Sequence, residues 1–104
     1  MPAEPSRAEI DALRGPAVVE FGARWCGYCR ALQAPLAGVL ARHPGVRHVK
    51  VEDGPGQPLG RSFGVKLWPT LVFLRDGQEV QRLVRPPGAA PITAALAAIG
   101  AAAG

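Results

Sequence analysis

The segment that decides how this chain folds is Val18-Val19-Glu20-Phe21-Gly22-Ala23-Arg24-Trp25-Cys26-Gly27-Tyr28-Cys29. Its first part is mostly apolar, which predicts a buried strand over residues 18–21. Cys26 and Cys29 are the only cysteines in the 104 residues, and a predicted helix follows them. Two intervening residues let both sulfur atoms meet across the first turn of that helix. Because a helix N-terminus favours the thiolate, the pair indicates a redox centre rather than a structural disulfide.

The composition fits a single globular domain over residues 1–104, with 48% hydrophobic residues, 19% charged residues and a net charge of +4. The positive charges are spread along the chain without a block of like charges, so we expect no nucleic-acid partner. No apolar run approaches the roughly 20 residues that a membrane span needs. The N-terminus lacks the apolar segment of a signal peptide, so we expect a cytoplasmic protein with no membrane association.

The remaining pattern predicts alternating helices and strands. Ser6 and Glu9 form a capping-box motif, which predicts a short helix that ends near Arg14-Gly15-Pro16. Further helices are predicted over 29–42, 58–63 and 92–103, and further strands over 46–51, 70–74 and 79–84. Pro35 lies inside the first of these helices and is expected to kink it. A helix between the first two strands predicts a parallel pair, and the hairpin adds antiparallel strands. We therefore predict an α/β fold with a mixed central sheet of about four strands flanked by helices.

A zinc site is the rival interpretation of the cysteines. Cys26, Cys29, His43 and His48 have a spacing that loosely fits a zinc finger. However, a helix over 30–42 would carry His43 about 20 Å from Cys29, far beyond a zinc bond of about 2.0–2.3 Å. We therefore expect no metal and no other cofactor, and we interpret the two histidines as ordinary residues of a helix end and a strand.

Several motifs together resemble the thioredoxin family. The stretch Val19-Glu20-Phe21-x-Ala23-x-Trp25-Cys26-Gly27-x-Cys29 is similar to the family's active-site strand and turn, and Pro35 matches its helix-kinking proline. Gly64-Val65-x-x-x-Pro69-Thr70-Leu71 is similar to its cis-proline loop. Lys50 stands where the family places a lysine near the active site. The resemblance covers most of the chain and implies a thioredoxin-like fold. Since only 25 residues precede Cys26, we expect the family's first edge strand to be short or missing.

The resemblance implies a protein-disulfide oxidoreductase that reduces substrate disulfides through Cys26 and Cys29. Cys26 is expected to be an exposed nucleophile, with Arg24 and Arg30 adding positive potential, and Cys29 is expected to be the resolving thiol. The implied partners are proteins that contain disulfides and an electron donor of the thioredoxin reductase type. We expect the protein to act as a monomer.

Glu20 stands alone as a charged residue in an apolar strand. Desolvation there predicts a raised pKa, which suits a proton acceptor. By the resemblance, Glu20 would serve Cys29 with Lys50 in support, although the family usually carries Asp at this position. The alternatives are an exposed strand residue or an ion pair with Lys50.

Pro69 is predicted to follow a cis peptide bond and to face Cys26, which would leave the backbone of Trp68 to pair with an extended substrate segment. Trp68 could instead simply pack in the core. Tyr28 is predicted to be exposed. The predicted substrate-binding residues surround the reactive cysteine and are Trp25, Gly27, Tyr28, Trp68 and Pro69.

Two other functions stay open at this point. Gly27-Tyr28 replaces the family's usual Gly-Pro and also occurs in bacterial periplasmic disulfide isomerases, which favours an oxidase or isomerase. Trp68 and the short N-terminal region favour a non-enzymatic binding or chaperone module. A reduction potential near −270 mV would indicate a reductant, and one above about −200 mV an oxidant or isomerase.

Overall fold

A computed structural model describes residues 4–101 of the chain. Helices and strands alternate along it in the predicted order. The elements are α1 (Arg7–Asp11), β1 (Pro16–Gly22), α2 (Gly27–Ala41), β2 (Arg47–Glu52), α3 (Pro58–Ser62), β3 (Thr70–Arg75), β4 (Gln78–Val84) and α4 (Ala89–Ala98).

The four strands form one mixed sheet in the order β2-β1-β3-β4. β1 runs parallel to β2, in a register that places Glu20 beside Lys50, and β3 is antiparallel to both β1 and β4. The parallel pair is joined through α2, and the antiparallel pair is joined by the predicted turn at Asp76-Gly77. This architecture confirms the predicted α/β fold. Within residues 4–101 no strand precedes β1, in line with a first edge strand that is short or missing.

Both faces of the sheet are covered by helices. Side chains alternate along each strand, so each strand contributes apolar residues to both faces. Val18, Leu71 and Phe73 pack against α2 and α4 on one face. On the other face, Val19 and Phe21 belong to a second apolar cluster that includes residues of α1 and α3. Glu20 follows Val18 by two residues and therefore lies on the face that α2 covers. This alternation brings a carboxyl group under the helix that carries Cys29.

The ends of all four helices differ from the predicted ends, that of α3 by only one residue. α1 ends at Asp11, before the predicted Arg14-Gly15-Pro16 segment, although its capping box between Ser6 and Glu9 is present as predicted. α2 begins at Gly27, two residues early, because Cys26 itself caps the helix. α4 begins at Ala89, since a proline within the first turn costs no helical hydrogen bond. α4 ends at Ala98, so the predicted end is wrong for residues 99–101, and residues 102–103 lie outside the described residues.

Candidate active site

Cys26 and Cys29 lie where β1 passes into α2. Cys26 is the N-cap residue of α2, and its Sγ accepts a hydrogen bond from the backbone N–H of Cys29 at 3.3 Å. Both residues carry free thiols. The cap therefore does two things with one side chain: it satisfies an unpaired N–H of the first turn, and it holds the sulfur of Cys26 against the residue that would close a disulfide with it.

The two thiols differ in acidity. Burial alone would raise the pKa of Cys26, but hydrogen bonds from the thiol and backbone N–H of Cys29 outweigh it and lower that pKa. The backbone N–H of Tyr28 and the charge of Arg85 lower it further. Burial and the neighbouring sulfur of Cys26 raise the pKa of Cys29 to about 11, and the charge of Glu20 adds to this effect. Cys26 is therefore the thiol that more readily becomes the nucleophilic thiolate.

Cys26 is less accessible than predicted. Only 7% of the residue is exposed, so the expectation of an exposed nucleophile is wrong. Cys26, Cys29 and Ala23 form a small buried cluster against which Trp68 packs. Trp68, the aromatic residue ahead of Pro69, contributes to this burial by packing against the dithiol. A substrate disulfide must therefore reach the sulfur of Cys26 at the small part of the residue that is exposed, which is called the opening below.

Arg85 is a site residue that sequence reasoning missed. Its Nε donates a hydrogen bond to the carbonyl of Trp68 at 2.8 Å, and its guanidinium lies over the ring of Tyr28 at 4.2 Å from the centroid. Its charge lowers the pKa of Cys26. Arg24 and Arg30, which were predicted to add positive potential, line a cavity beside Cys29 instead. The one available signal was the position of Arg85 in a rigid Arg-Pro-Pro-Gly loop after the hairpin.

Aromatic side chains surround the opening. Trp25 and Tyr28 are 72% and 61% exposed, which confirms the prediction for Tyr28. Trp25 meets Trp68 edge to face, with ring centroids 5.4 Å apart. Trp68 is half-buried, and its indole N–H donates to the carboxylate of Asp53 at 2.9 Å. Trp68 thus takes both predicted positions, since it packs against the core and also borders the dithiol.

The peptide bond between Trp68 and Pro69 is cis, as predicted. The carbonyl of Trp68 accepts the hydrogen bond from Arg85 and lies 3.8 Å from the Sγ of Cys26. The Pro69 carbonyl accepts a hydrogen bond from the backbone N–H of Arg85 at 2.9 Å. The Trp68 backbone was predicted to be free to pair with substrate. This prediction is wrong for the carbonyl of Trp68, which already has Cys26 and Arg85 as hydrogen-bond partners.

Glu20 is buried and fully engaged. It is 1% exposed, and its two oxygens lie 2.8 Å from Nε2 of His48 and 2.9 Å from the side-chain amide of Gln33. Burial alone would raise the pKa of Glu20, as predicted, but the hydrogen bonds from His48 and Gln33 and the charge of Lys50 outweigh it. The pKa of Glu20 is therefore lowered, and the predicted upward shift is wrong.

The close contact of Glu20 is a hydrogen bond with His48 rather than an ion pair with Lys50. Lys50 donates to the Oε1 of Gln33 at 3.0 Å, and Gln33 in turn donates to the backbone carbonyl of Cys29 at 2.8 Å. Lys50 thus acts on Glu20 through its charge and through Gln33. Both alternatives considered for Glu20, an exposed residue and a direct Lys50 pair, are wrong. His48 was interpreted as an ordinary strand residue, and the parallel register with β2 is what brings it to Glu20.

A cavity of about 170 Å³ connects the carboxylate region with the second thiol. It is lined by Glu20, Gly22, Cys29, Gln33 and Lys50, among others. A Cβ atom at Gly22 would lie 2.9 Å from the Sγ of Cys29, closer than a methyl group and a sulfur atom normally approach. Glycine at this position therefore permits the close contact between the end of β1 and the first turn of α2.

The histidines of the rival zinc interpretation have other partners. Nδ1 of His43 lies 2.8 Å from the carbonyl of Val39, and His48 pairs with Glu20. Across residues 4–101, no group of three or more His, Cys, Asp and Glu side chains is arranged to hold a metal ion. Nor does any helix of that region have the length and apolar character needed to cross a bilayer.

A dithiol on the first turn of a helix, beside a cis-proline on a mixed four-stranded sheet, is the arrangement of a thioredoxin-type domain. A sequence profile of the family described as Thioredoxin matches residues 4–98. The chain belongs to the thioredoxin family. Thioredoxin 2 from Pseudomonas aeruginosa PAO1, solved in its reduced form, is similar with 57% identity and a TM-score of 0.82. The match covers 93% of this chain and 91% of that one.

Curated relatives match over a shorter region. Protein disulfide-isomerase A2 of Pongo abelii is 48% identical over 66 residues, which cover 60% of this chain and 13% of the isomerase. Thioredoxin H-type 1 of Nicotiana tabacum is 39% identical over 67 residues, which cover 64% of this chain and 53% of the tobacco protein. The matched part thus spans about half of the tobacco protein and a small part of the isomerase.

Proposed function

We propose that this protein reduces disulfide bonds in other proteins, with Cys26 as the nucleophile. The thiolate of Cys26 attacks one sulfur of the substrate disulfide, which forms a mixed disulfide and releases the other substrate sulfur as a thiolate. Cys29 then loses its proton and attacks Cys26, which frees the second substrate thiol and leaves a Cys26–Cys29 disulfide. Two electrons pass to the substrate, so a dithiol donor of the thioredoxin reductase type must restore the reduced protein.

The observation that carries this proposal is the division of acidity within one helical turn. The pKa of Cys26 is lowered while that of Cys29 is raised to about 11. One thiol is therefore prepared to attack, and the other stays protonated until the mixed disulfide has formed. A structural disulfide has no use for such a difference between its sulfur groups.

A trapping experiment tests the two roles. The Cys26→Ser variant should reduce no protein disulfide, while Cys29→Ser should accumulate a mixed disulfide through Cys26 that survives alkylation and non-reducing electrophoresis. A mixed disulfide through Cys29 in the Cys26→Ser variant would reverse the assignment. Full activity in both variants would contradict the dithiol mechanism.

Glu20 is proposed to accept the proton of Cys29, with Lys50 in a supporting role. Glu20 and Cys29 line the same cavity, and the carboxylate is ionised at neutral pH, although its lowered pKa makes it a weaker base than predicted. We expect Glu20→Gln to slow release of the mixed disulfide by less than about 10²-fold, the lower end for a positioned base. The loss is limited because the same change removes a charge that raises the pKa of Cys29. An unchanged release rate from pH 6 to 9 would exclude the role.

Substrate is proposed to bind around the opening over Cys26. Trp25 and Tyr28 offer exposed aromatic surface, Gly27 leaves the helix start open, and Trp68 and Pro69 border the sulfur. Aromatic side chains hold extended segments with little loss of conformational entropy. We expect Trp25→Ala to raise KM for a protein disulfide with a smaller effect on kcat.

Two observations favour disulfide oxidase or isomerase activity as a second candidate. They are the Gly27-Tyr28 dipeptide and the 48% identity with a protein disulfide-isomerase over 66 residues. Equilibration with glutathione measures the reduction potential and separates the two. A value near −270 mV supports the reductant, and one above about −200 mV supports the oxidant or isomerase.

Location and partners are proposed on chemical grounds. A dithiol that must be re-reduced after each turnover suits a reducing compartment, so we place the protein in the cytoplasm. We propose that it works as a monomer on protein disulfides, without nucleic acid, membrane or metal. Cell fractionation tests the cytoplasmic location, and analytical ultracentrifugation tests the monomeric state.

A further inference from the structure

Arg85 joins the two halves of the site. It is the first residue after β4 and adopts a left-handed backbone conformation, with φ of 51°. Its backbone N–H and its Nε bind the carbonyls of Pro69 and Trp68 in the cis-proline loop. Its guanidinium lies over the ring of Tyr28, a residue that stands between the two cysteines in the sequence. One cation is therefore held at the substrate opening by both segments that form it.

Among the residues that the structure describes, Arg85 has no carboxylate partner for its charge. Arg7, Arg75 and Arg82 each pair with a carboxylate, whereas Arg85 forms no ion pair with any carboxylate of residues 4–101. Over the same residues, Nε is the only part of its side chain with a hydrogen-bond acceptor. A guanidinium offers further N–H donors in a planar fork that matches a carboxylate. The exposed Nη groups of Arg85 are thus available to an incoming acceptor.

The position of Arg85 is where a bound segment would pass. Arg85 lines an open groove of about 340 Å³ beside the reactive turn. The other lining residues include Tyr28, Pro35, Pro69, Pro86 and Pro87. A carbonyl oxygen accepts two hydrogen bonds. When Cys26 ionises, its sulfur no longer donates toward the Trp68 carbonyl, and a substrate N–H can take that place without displacing Arg85. Arg85 then remains beside the segment that pairs with Trp68.

We propose that Arg85 determines substrate specificity by favouring disulfides that carry an Asp or Glu next to the reacting cysteine. The inference rests on the proposed function, since it concerns substrates of that same site. The carboxylate would pair with the Nη groups of Arg85 and position the disulfide over Cys26. An exposed ion pair of this kind contributes modestly, so the expected preference is about two- to fivefold.

Two disulfide peptides that differ only in Glu or Gln beside one cysteine test the proposal. The reduced protein is mixed with each peptide at low salt, and thiol trapping gives the second-order rate constant. We expect the Glu peptide to react about two to five times faster, with a smaller ratio at 0.5 M salt, where an exposed pair is screened.

Variants separate charge recognition from thiol activation. Arg85→Gln should slow both peptides, because it also removes a charge that lowers the pKa of Cys26, but it should bring their ratio to one. Arg85→Lys should retain part of the preference. Arg47→Gln, at the start of β2, makes the same change in net charge and should keep the wild-type ratio.

Three results would overturn the proposal. Equal rates for the two peptides with the wild-type protein would exclude a preference, while the proposed function would stand. A ratio that persists in Arg85→Gln would assign the preference to another residue. Reduction of neither peptide by the wild-type protein would remove the proposed function together with this inference.

Discussion

At the scale of single residues, the difference between the two thiols leads to the first prediction. Cys26 should alkylate faster than Cys29 at pH 7, because its pKa is lowered while that of Cys29 is raised to about 11. Both residues are largely buried, so acidity rather than access separates them. Mass mapping after brief iodoacetamide treatment measures the ratio, and labelling of peptides from the unfolded protein is the control. Equal labelling in the folded protein would contradict the assignment.

Glu20 leads to a prediction on stability against pH. Its folded pKa is lowered, so its ionised form stabilises the fold at neutral pH, and this contribution is lost as the pH falls through the folded pKa. We expect Glu20→Gln to lower the free energy of unfolding by about 1–3 kcal/mol at pH 7, as for a charged hydrogen-bonded group. The difference from wild type should shrink below about pH 4.

Chemical denaturation of both proteins between pH 3 and 7 measures this effect. The window follows from the direction of the shift: the stabilisation by a carboxylate with a lowered pKa is complete above its unfolded pKa and is lost as the pH falls from there through its folded pKa. Glu9 and Glu79 also have lowered pKa values, but they are common to both proteins and cancel in the difference. A variant that is more stable than wild type at pH 7 would show that desolvation outweighs the hydrogen bonds of Glu20.

The site could be predicted from the sequence as far as its local motifs reach. Cys26, Cys29 and the cis bond before Pro69 belong to short motifs whose chemistry depends on neighbours in the chain. The partners of Glu20 belong to no such motif, because His48 lies 28 residues away along the chain and reaches Glu20 only through the pairing of β1 with β2. The wrong direction for the Glu20 pKa has the same origin, since burial is visible in an apolar strand but hydrogen-bond donors from other elements are not. Arg85 was missed for this reason too.

At the scale of elements, the junction of β1 and α2 leads to a prediction on Gly22. Gly22→Ala would place a methyl group 2.9 Å from the sulfur of Cys29, so the strand, the helix start or the Cys29 side chain must shift. We expect a loss of about 1–3 kcal/mol in unfolding free energy, as for overpacking of a core, and slower closure of the disulfide. Thermal unfolding and the rate of release from a mixed disulfide measure the two effects.

Gly38→Ala is the matched control for that junction. Gly38 lies within α2, and a Cβ there meets nothing within 4 Å. Alanine in a helix interior is favoured over glycine by about 0.5–1 kcal/mol, so this variant should be more stable with an unchanged reaction rate. Equal destabilisation by both substitutions would indicate a general effect on α2 rather than a clash with Cys29.

The elements were easier to predict than their ends. Apolar runs identified β1 and β3, in which all but one residue are buried, whereas β4 has no fully buried residue and was predicted as the partner strand of a hairpin. The ends depend on single side-chain contacts. α2 starts at Gly27 because the sulfur of Cys26 acts as its cap, a role that cysteine rarely has and that composition does not reveal.

At the scale of the whole molecule, apolar packing on both faces of the sheet holds the helices against the strands. One cluster joins β1 and β3 to α2 and α4, and the other joins the same strands to α1 and α3. Each large fully buried side chain, such as Phe21 or Phe73, contributes about 1.5–3 kcal/mol by leaving water. The two histidines that a zinc finger would need serve a helix end and the Glu20 pair instead.

The reduced protein should therefore keep its fold in excess chelator. A small metal-dependent domain loses most of its folding free energy when the ion is removed, whereas here both layers of the core are formed by side chains alone. We expect the midpoint of thermal unfolding, followed by circular dichroism, to be unchanged by EDTA, because both clusters consist of apolar side chains, which are not metal ligands. The Cys29→Ser variant, which removes one candidate ligand, should show the same insensitivity. Unfolding of the reduced wild-type protein by the chelator would restore the zinc interpretation and contradict a dithiol that is free to exchange.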